Sequence, residues 1–374
     1  VRYECVPMRF IKHVYKIHTY AQDGRLFEGK TPVSAFLNSS YDGSFIAGLM
    51  ELRYIQSLPV ERIINYFESH GFTLKKPTAH KLMEKASSLF ENLYKCIRQT
   101  ALSDPYKAAD ETYYKILVPE KNSKGKGVRK GYLWVVVGIN TRMIYLLYDD
   151  GSRSEKVILN ELGGCKGIIQ SDGYSPYRKL ESDAYPHITR IPCLQHIKRK
   201  FIDCGEDDPD AKRIVEMINT LYQNEHKHKI GVDGWTVEQN LVHRKKYAPD
   251  ILGEIKDVLD DIEERGDLLP KSELKEAITY LRNEWNAVVD IFNYGDTYLD
   301  NNIVERMNRY ISLSRKNSLF FGSHKGAERG AILYTIALTC RMNKVNLFEY
   351  LTDVINRTAE WQPNTPLEKY RQLL

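Results

Sequence analysis

Three acidic residues stand out by the company they keep. Asp110 sits among small and apolar neighbours in Ala109-Asp110-Glu111-Thr112. Asp172 follows an apolar run in Ile168-Ile169-Gln170-Ser171-Asp172-Gly173-Tyr174. Glu305 lies in the helical pattern Asn302-Ile303-Val304-Glu305-Arg306-Met307. Carboxylates are hard oxygen ligands suited to Mg²⁺ or Mn²⁺. Two such ions about 3.5–4 Å apart can activate an attacking oxygen and stabilise a leaving one, as phosphodiester chemistry requires. Taken singly, each residue also has a plain structural role open to it. Asp172-Gly173 could be a turn, Glu305 a solvated residue paired with Arg309, and Asp110 a hydrogen-bond acceptor at a strand end.

The combination depends on the elements that would carry them. Residues 1–50 mix short β-like pieces, such as 14–18, with turns at Asp23-Gly24 and Asp42-Gly43. From Phe45 to about Thr100 the pattern is helical. One helix over 60–67 stops at His70-Gly71, and a second after Pro77 carries Leu82, Met83, Ala86, Leu89 and Leu93 near the helical period. Two helices joined by a short Gly-containing turn fit a helix-turn-helix reader of DNA or an ordinary helical hairpin.

Strands follow at 108–117, 132–137, 143–148, 167–170 and 187–194, with helices through Val157, Leu159 and Leu162 and near Tyr177. The run at 132–137 is continuously apolar, as in a strand buried on both faces. A basic, Gly-containing loop at 121–127 separates the first two strands. The order βββαβαβ implies an α/β fold, a mixed sheet flanked by helices. Asp110 falls on the first of these strands and Asp172 just past the carboxyl end of the fourth, the edge where open α/β sheets gather ligands. Residues 205–294 are polar and helical, with amphipathic helices at 254–264 and 272–285, and read as an insertion. Beyond Tyr298 a helix places Ile303, Met307 and Ile311 toward the core, with Asn302, Glu305, Arg306 and Arg309 on its polar face. An apolar helix at 331–340 and a Pro-containing tail complete the chain.

At 374 residues, with 42% apolar and 28% charged residues, the composition is that of a soluble globular protein of one large or several ordinary domains. Net charge is only +5, so a nucleic-acid signal must come from local clusters. No apolar stretch is long enough to span a membrane. The start is not a signal peptide and lacks Met, suggesting a processed chain or a piece of a longer one. Six scattered cysteines without a Cys-x-x-Cys pair suggest reduced thiols and a cytoplasmic location. Cys193 and His196 could be two metal ligands, but a structural Zn²⁺ site needs four. A buried Cys and a polar His near the reacting phosphate is the preferred reading.

At these residues the chain resembles the IS66 family of bacterial transposases. The matching stretches are Ala109-Asp110-Glu111-Thr112, Ser171-Asp172-Gly173-Tyr174, Cys193-Leu194-Gln195-His196-Ile197-Lys198-Arg199-Lys200-Phe201 and Asp300-Asn301-Asn302-Ile303-Val304-Glu305-Arg306. The run Ser314-Arg315-Lys316-Asn317-Ser318-Leu319-Phe320-Phe321-Gly322-Ser323 is similar too, as is the tail through Asn343-Lys344-Val345-Asn346 and Tyr350-Leu351. The resemblance covers about 45 to the end, and several motifs in order make it specific. It departs near the start: the cysteine pair usual in the family is missing where this chain reads His18-Thr19-Tyr20-Ala21-Gln22-Asp23.

The resemblance implies an RNase H-like fold with a helical insertion before the final Glu. The stretch between Asp172 and Glu305 is indeed more than twice that between Asp110 and Asp172, and it contains the polar helical block. The implied organisation is a β/loop segment at 1–44 and a helix-turn-helix-like region at 45–104. The catalytic core would occupy 105–204 and 295–345 around an insertion at 205–294, with a tail at 346–374. Asp110, Asp172 and Glu305 would hold two Mg²⁺ or Mn²⁺ ions for DNA cleavage and transfer of a 3′-OH strand. Candidates for DNA contact are His196, Lys198, Arg199, Lys200, Arg306, Arg309, Arg315 and Lys316, which otherwise read as solvated charge. Implied partners are element ends and target DNA, further copies of the chain in a synaptic complex, and accessory proteins of the same element, with the chain associated with the nucleoid. Alternatives are an inactive DNA-binding descendant of a transposase, an RNase H-like nuclease, and a tyrosine recombinase. The last is suggested by His196-x-x-Arg199 and opposed by the β-rich region.

Overall fold

The computed structural model describes residues 1–374 except 6, 31, 32, 37, 38, 122–124, 126, 206 and 363. Most of the basic loop expected at 121–127 therefore lies outside the described residues. Near the amino end, β1 (Thr19–Gln22) and β2 (Arg25–Glu28) pair antiparallel. Asp23 and Gly24 between them have φ of 51° and 74°, the backbone a tight two-residue hairpin demands. The β character expected at 14–18 begins later, because this turn fixes the register and pairs Gln22 with Arg25.

The helical region opens with α1 (Gly43–Met50), capped by Asp42, which accepts from Phe45 N at 3.1 Å. One π-helical turn, Glu51–Ile55, continues it. α2 (Val60–Ser69) ends at His70-Gly71 as expected. The single second helix expected through Leu93 is instead two, α3 (Lys76–Leu89) and α4 (Glu91–Ser103). The break falls at Phe90, whose ring is sunk in the core at 1% exposure. It lets α4 turn onto the sheet, where Tyr94 Oη donates to Leu146 O at 3.0 Å.

The sheet contains β3 (Tyr106–Leu117), β4 (Val128–Gly138), β5 (Met143–Leu147), β6 (Gly167–Ser171) and β7 (Ile188–Pro192). α5 (Glu155–Leu162) precedes β6 and α6 (Ser175–Arg178) follows it. The spatial order is β5-β4-β3-β6-β7. β3, β4 and β5 pair antiparallel, whereas β3, β6 and β7 run parallel. The mixed sheet flanked by helices is thus observed, and the apolar run of β4 is buried on both faces.

After β7 come α7 (Leu194–Ile202), α8 (Pro209–His226), α9 (Val237–Glu264) and α10 (Glu273–Ile291), so the polar block is helical as expected. α9 starts well before 254, launched by a capping box between Thr236 and Gln239. α11 (Asn302–Ser318), α12 (His324–Met342), α13 (Leu347–Thr358) and α14 (Leu367–Arg371) complete the chain. α12 shields the open edge of β5: Thr335 Oγ1 accepts from Leu146 N at 2.9 Å and Thr339 Oγ1 accepts from Ile144 N at 3.2 Å. These threonines, one helical turn apart, pair backbone that would otherwise recruit another strand. α13 returns to pack on α1, and α14 lies against α4.

Arg244 of α9 pins the end of the helical block. Its buried guanidinium donates to both oxygens of Glu225, at 2.8 and 2.6 Å, and to Thr297 O at 2.6 Å. It also donates to Tyr294 O at 2.5 Å and Thr297 Oγ1 at 2.7 Å. Removing it strands a carboxylate and two carbonyls away from water. Arg244→Ala should therefore lose about 3 kcal/mol or more in a urea unfolding titration; a loss under about 0.5 kcal/mol would mean water replaces these bonds freely.

Candidate active site at the β3–β6 edge

Asp110 is placed by the geometry of the central strand. β3 pairs with β6 only over Tyr106, Lys107 and Ala108, so beyond Ala108 that flank of β3 is open. Ala109 is fully buried and its small side chain permits a close neighbour. That neighbour is α11: Asn301, at its N-terminus, donates through Nδ2 to Ala109 O at 3.0 Å. Asn308 Nδ2 donates to Asp110 Oδ2 at 2.7 Å, and Asp110 Oδ1 accepts from Glu111 N at 2.8 Å. Arg315, seven residues further on, donates to Tyr113 O at 2.5 Å and stacks over the Tyr113 ring at 3.9 Å.

The face of α11 turned inward is therefore Val304, Asn308, Ile311 and Ser314, while Ile303 and Met307, expected in the core, are only half-buried. The helix is rotated from its apolar expectation because the open flank of β3 needs hydrogen-bond donors. At its far end Leu319 takes φ 61°, an unusual conformation for a bulky residue. The turn sends Phe321 back along β3, where its N donates to Lys115 O at 2.8 Å.

Burial pushes the Asp110 carboxyl up to about 8, with the Glu111 and Asp172 carboxylates adding to the shift and the bonds from Glu111 N and Asn308 opposing it. Asp172 thus lies close enough for its charge to be felt at Asp110. It follows β6 directly, and its Oδ1 accepts from Tyr174 N at 3.1 Å. A cleft of about 370 Å³ opens beside it, lined also by Arg153, His196, Arg199, Lys200 and Tyr280.

Glu305 stands one helical turn before Asn308 and points toward the start of α7. His196 Nδ1 is 3.6 Å from Glu305 Oε1, beyond hydrogen-bond reach, and both atoms are buried without a partner. Among the described residues, Cys193, His196 and Glu305 are the one trio of His, Cys, Asp or Glu donors with ligand atoms within 4.8 Å of one another. The oxygens of Asp110, Asp172 and Glu305 do not close to that range. Asp110 and Asp172 share the edge, whereas Glu305, one helical turn from the Asn308 that bonds Asp110, has Cys193 and His196 as its nearest ligand-type neighbours.

The basic residues separate by position. Arg199 and Lys200 line the cleft with His196, and Lys200 Nζ lies 5.9 Å from the centre of the Tyr280 ring. Lys198 turns the other way, over Tyr222. Arg306, Arg309 and Lys316 are exposed along the outer face of α11. Arg315 is engaged by Tyr113. Asn301, Asn308 and Tyr280 escape a reading focused on charge, and Arg190 escapes because it stands alone in an apolar strand, although the seven-residue spacing of Asn301, Asn308 and Arg315 marks one helix face.

A carboxyl whose pKa is raised by folding favours the folded state while protonated. The penalty begins above the unfolded value near 4 and grows until pH passes about 8. In EDTA, Asp110→Asn should therefore gain thermal stability relative to the parent as pH rises from 5 to 8. A Tm difference constant across that range would show that Asp110 is not held in this way.

Comparison with known proteins identifies a family. The sequence profile described as "Transposase IS66 family" matches residues 38–329. Three curated relatives from Sinorhizobium fredii are each described only as an uncharacterized protein. The protein y4jD is 26% identical over 325 positions, covering 83% of this chain and 61% of its own length. The protein y4qI is 26% identical over 384 positions, covering 98% and 69%. The protein y4hP is 24% identical over 382 positions, covering 96% and 67%. This chain thus spans less than two thirds of the length of y4jD and about two thirds of the other two. With its family profile matched across most of its length, the chain belongs to the IS66 transposase family.

Proposed function

We propose that this chain catalyses divalent-metal-dependent cleavage of DNA at the ends of an insertion sequence and joining of the freed 3′-OH to target DNA. The observation that carries this reading is that Asp110 feels the charge of Asp172 across one sheet edge, while Asn308, one helical turn from Glu305 on α11, bonds Asp110. Family membership and the β5-β4-β3-β6-β7 order, antiparallel on one side of β3 and parallel on the other, support an RNase H-like core formed by 105–204 and 295–345 around the helical block.

Asp110, Asp172 and Glu305 are the residues that would hold two Mg²⁺ or Mn²⁺ ions. The site's chemistry fits them: hard carboxylate donors, an Asp110 carboxyl raised by burial and then by its anionic neighbours, and a buried Glu305 oxygen lacking any partner. Bound divalent ions would supply Lewis-acid stabilisation of charge developing on the phosphate. The protein's own residues do the positioning. Asn308 fixes one Asp110 oxygen, leaving the carboxylate oriented across the edge. Arg199 and Lys200 offer charge to phosphates entering the cleft, and Arg306, Arg309 and Lys316 extend that charge along α11. Arg315 serves by holding α11 to β3.

The α2–α3 pair is read as a helix-turn-helix, supported by exposed Lys76, His80 and Lys81 on α3. Two element ends require two active sites, so the working form is a synaptic oligomer, aided by accessory proteins of the same element. No described helix is long and apolar enough to cross a membrane. The proposed setting is the bacterial nucleoid.

The test is joining of a pre-cleaved oligonucleotide, bearing the element's own end, to plasmid DNA in Mn²⁺. The parent should join, and Asp172→Asn should bind the oligonucleotide equally but form no product. Equal joining by both would remove Asp172 from the site. Binding without joining by either would favour an inactive descendant, and a covalent protein–DNA product would favour a recombinase.

A further inference from the structure

The loop that carries Asp172 is gripped by β7 and, through it and directly, by α10 of the helical block. Ser171, Asp172 and Gly173 are each held by a group that does not touch the Asp172 carboxylate. Arg190 of β7, whose side chain is completely buried, donates through Nε to Ser171 Oγ at 3.1 Å and through Nη2 to Asp172 O at 3.0 Å. Gly173 N donates to Tyr280 Oη of α10 at 2.8 Å. A Cβ on residue 173 would meet that same oxygen at 2.5 Å, so only glycine admits the contact.

Arg190 is in turn anchored. Its Nη2 pairs with Glu284 of α10, a residue 1% exposed, and its Nη1 with Glu181. Tyr280 and Glu284 are one helical turn apart on the same face of α10. The helical block therefore reaches the Asp172 loop at two points, one direct and one through Arg190. A buried guanidinium–carboxylate pair is a costly way to gain stability, since desolvation offsets most of the attraction. What it provides is a fixed position. A loop carrying Asp172 toward Asp110 and Glu111 works against like-charge repulsion, and a rigid backbone resists it.

We propose that α10 is part of the catalytic apparatus: Tyr280 and Glu284, with Arg190 between Glu284 and the loop, are positioning residues that set the divalent-ion affinity of Asp172. This rests on the metal-dependent reading above. It makes the block between Asp172 and Glu305 a structural support of the site as well as a spacer.

The experiment uses the full chain with the pre-cleaved end oligonucleotide and titrates Mn²⁺, reading free ion by electron paramagnetic resonance. Glu284→Gln keeps the shape of the side chain and removes its charge, and should weaken Mn²⁺ binding about tenfold. Tyr280→Phe removes one acceptor and should weaken it about threefold. DNA affinity should be unchanged. The Mn²⁺ concentration for half-maximal joining should rise in parallel, with the rate recovering at saturating Mn²⁺. A merely structural role would lower Tm and amplitude while leaving the Mn²⁺ curve in place, and that result overturns the proposal. Should Glu284→Gln fail to fold, Tyr280→Phe, which leaves the ion pair intact, decides the matter. Asp172→Asn separates the two levels. If it binds Mn²⁺ as the parent does, or the parent binds none, the metal reading falls and takes this inference with it. If Asp172→Asn loses Mn²⁺ while Glu284→Gln and Tyr280→Phe match the parent, only the positioning role falls.

Discussion

The seam between β3 and α11 sets where Asp110 and Glu305 can be. β6 leaves β3 after Ala108, and the strand would run on with an unpaired flank beside a buried carboxylate. α11 covers that flank with donors at a seven-residue interval, Asn301 to Ala109 O, Asn308 to Asp110 and Arg315 to Tyr113 O. Each bond satisfies an acceptor that burial would otherwise leave costly. Together they fix both the height of the helix along β3 and its rotation. Glu305 acquires its place from them, one turn from Asn308, without itself touching the strand.

The same seam explains the electrostatics. Asp110, Glu111 and Asp172 bring negative charge into a partly desolvated edge, and only Glu111 is directly neutralised, by Arg153. Asp110 responds by holding its proton to unusually high pH. Hydrogen bonds from Asn308 and Glu111 N orient it without cancelling its charge. A bound cation would, on the proposed reading, relieve the repulsion among these carboxylates. On the far side of Asp172 the protein spends a second buried charge, Arg190, on the loop's backbone. One device orients a carboxylate through its oxygens and the other through its main chain.

Much of this was legible in the sequence. The strand order along the chain, the polar helical block and the positions of Asp110 and Asp172 follow from apolar runs and turn residues. The rotation of α11 did not, because Ile303, Met307 and Ile311 form a plausible apolar stripe. Hydrophobic periodicity cannot register a strand flank that demands amide donors. The break at Phe90 was hidden for a similar reason: nothing in its neighbours is a helix breaker, and the kink is imposed by the sheet onto which α4 packs. The grip of Tyr280 and Glu284 on the Asp172 loop joins residues more than a hundred positions apart. No local pattern announces such a contact. Arg315 illustrates the converse, since a basic run on a helix read as phosphate-facing contains one member whose guanidinium is occupied by Tyr113.

The central claim is that the oxygens of Asp110, Asp172 and Glu305 form the metal site, although Glu305 lies within reach of Cys193 and His196. Anomalous diffraction at the manganese edge, from crystals of the chain with a pre-cleaved element end and Mn²⁺, tests it most directly. The account predicts two peaks flanked by Asp110, Asp172 and Glu305, with Asn308 still bonded to Asp110. A single peak among Cys193, His196 and Glu305, with none at Asp110, would contradict it.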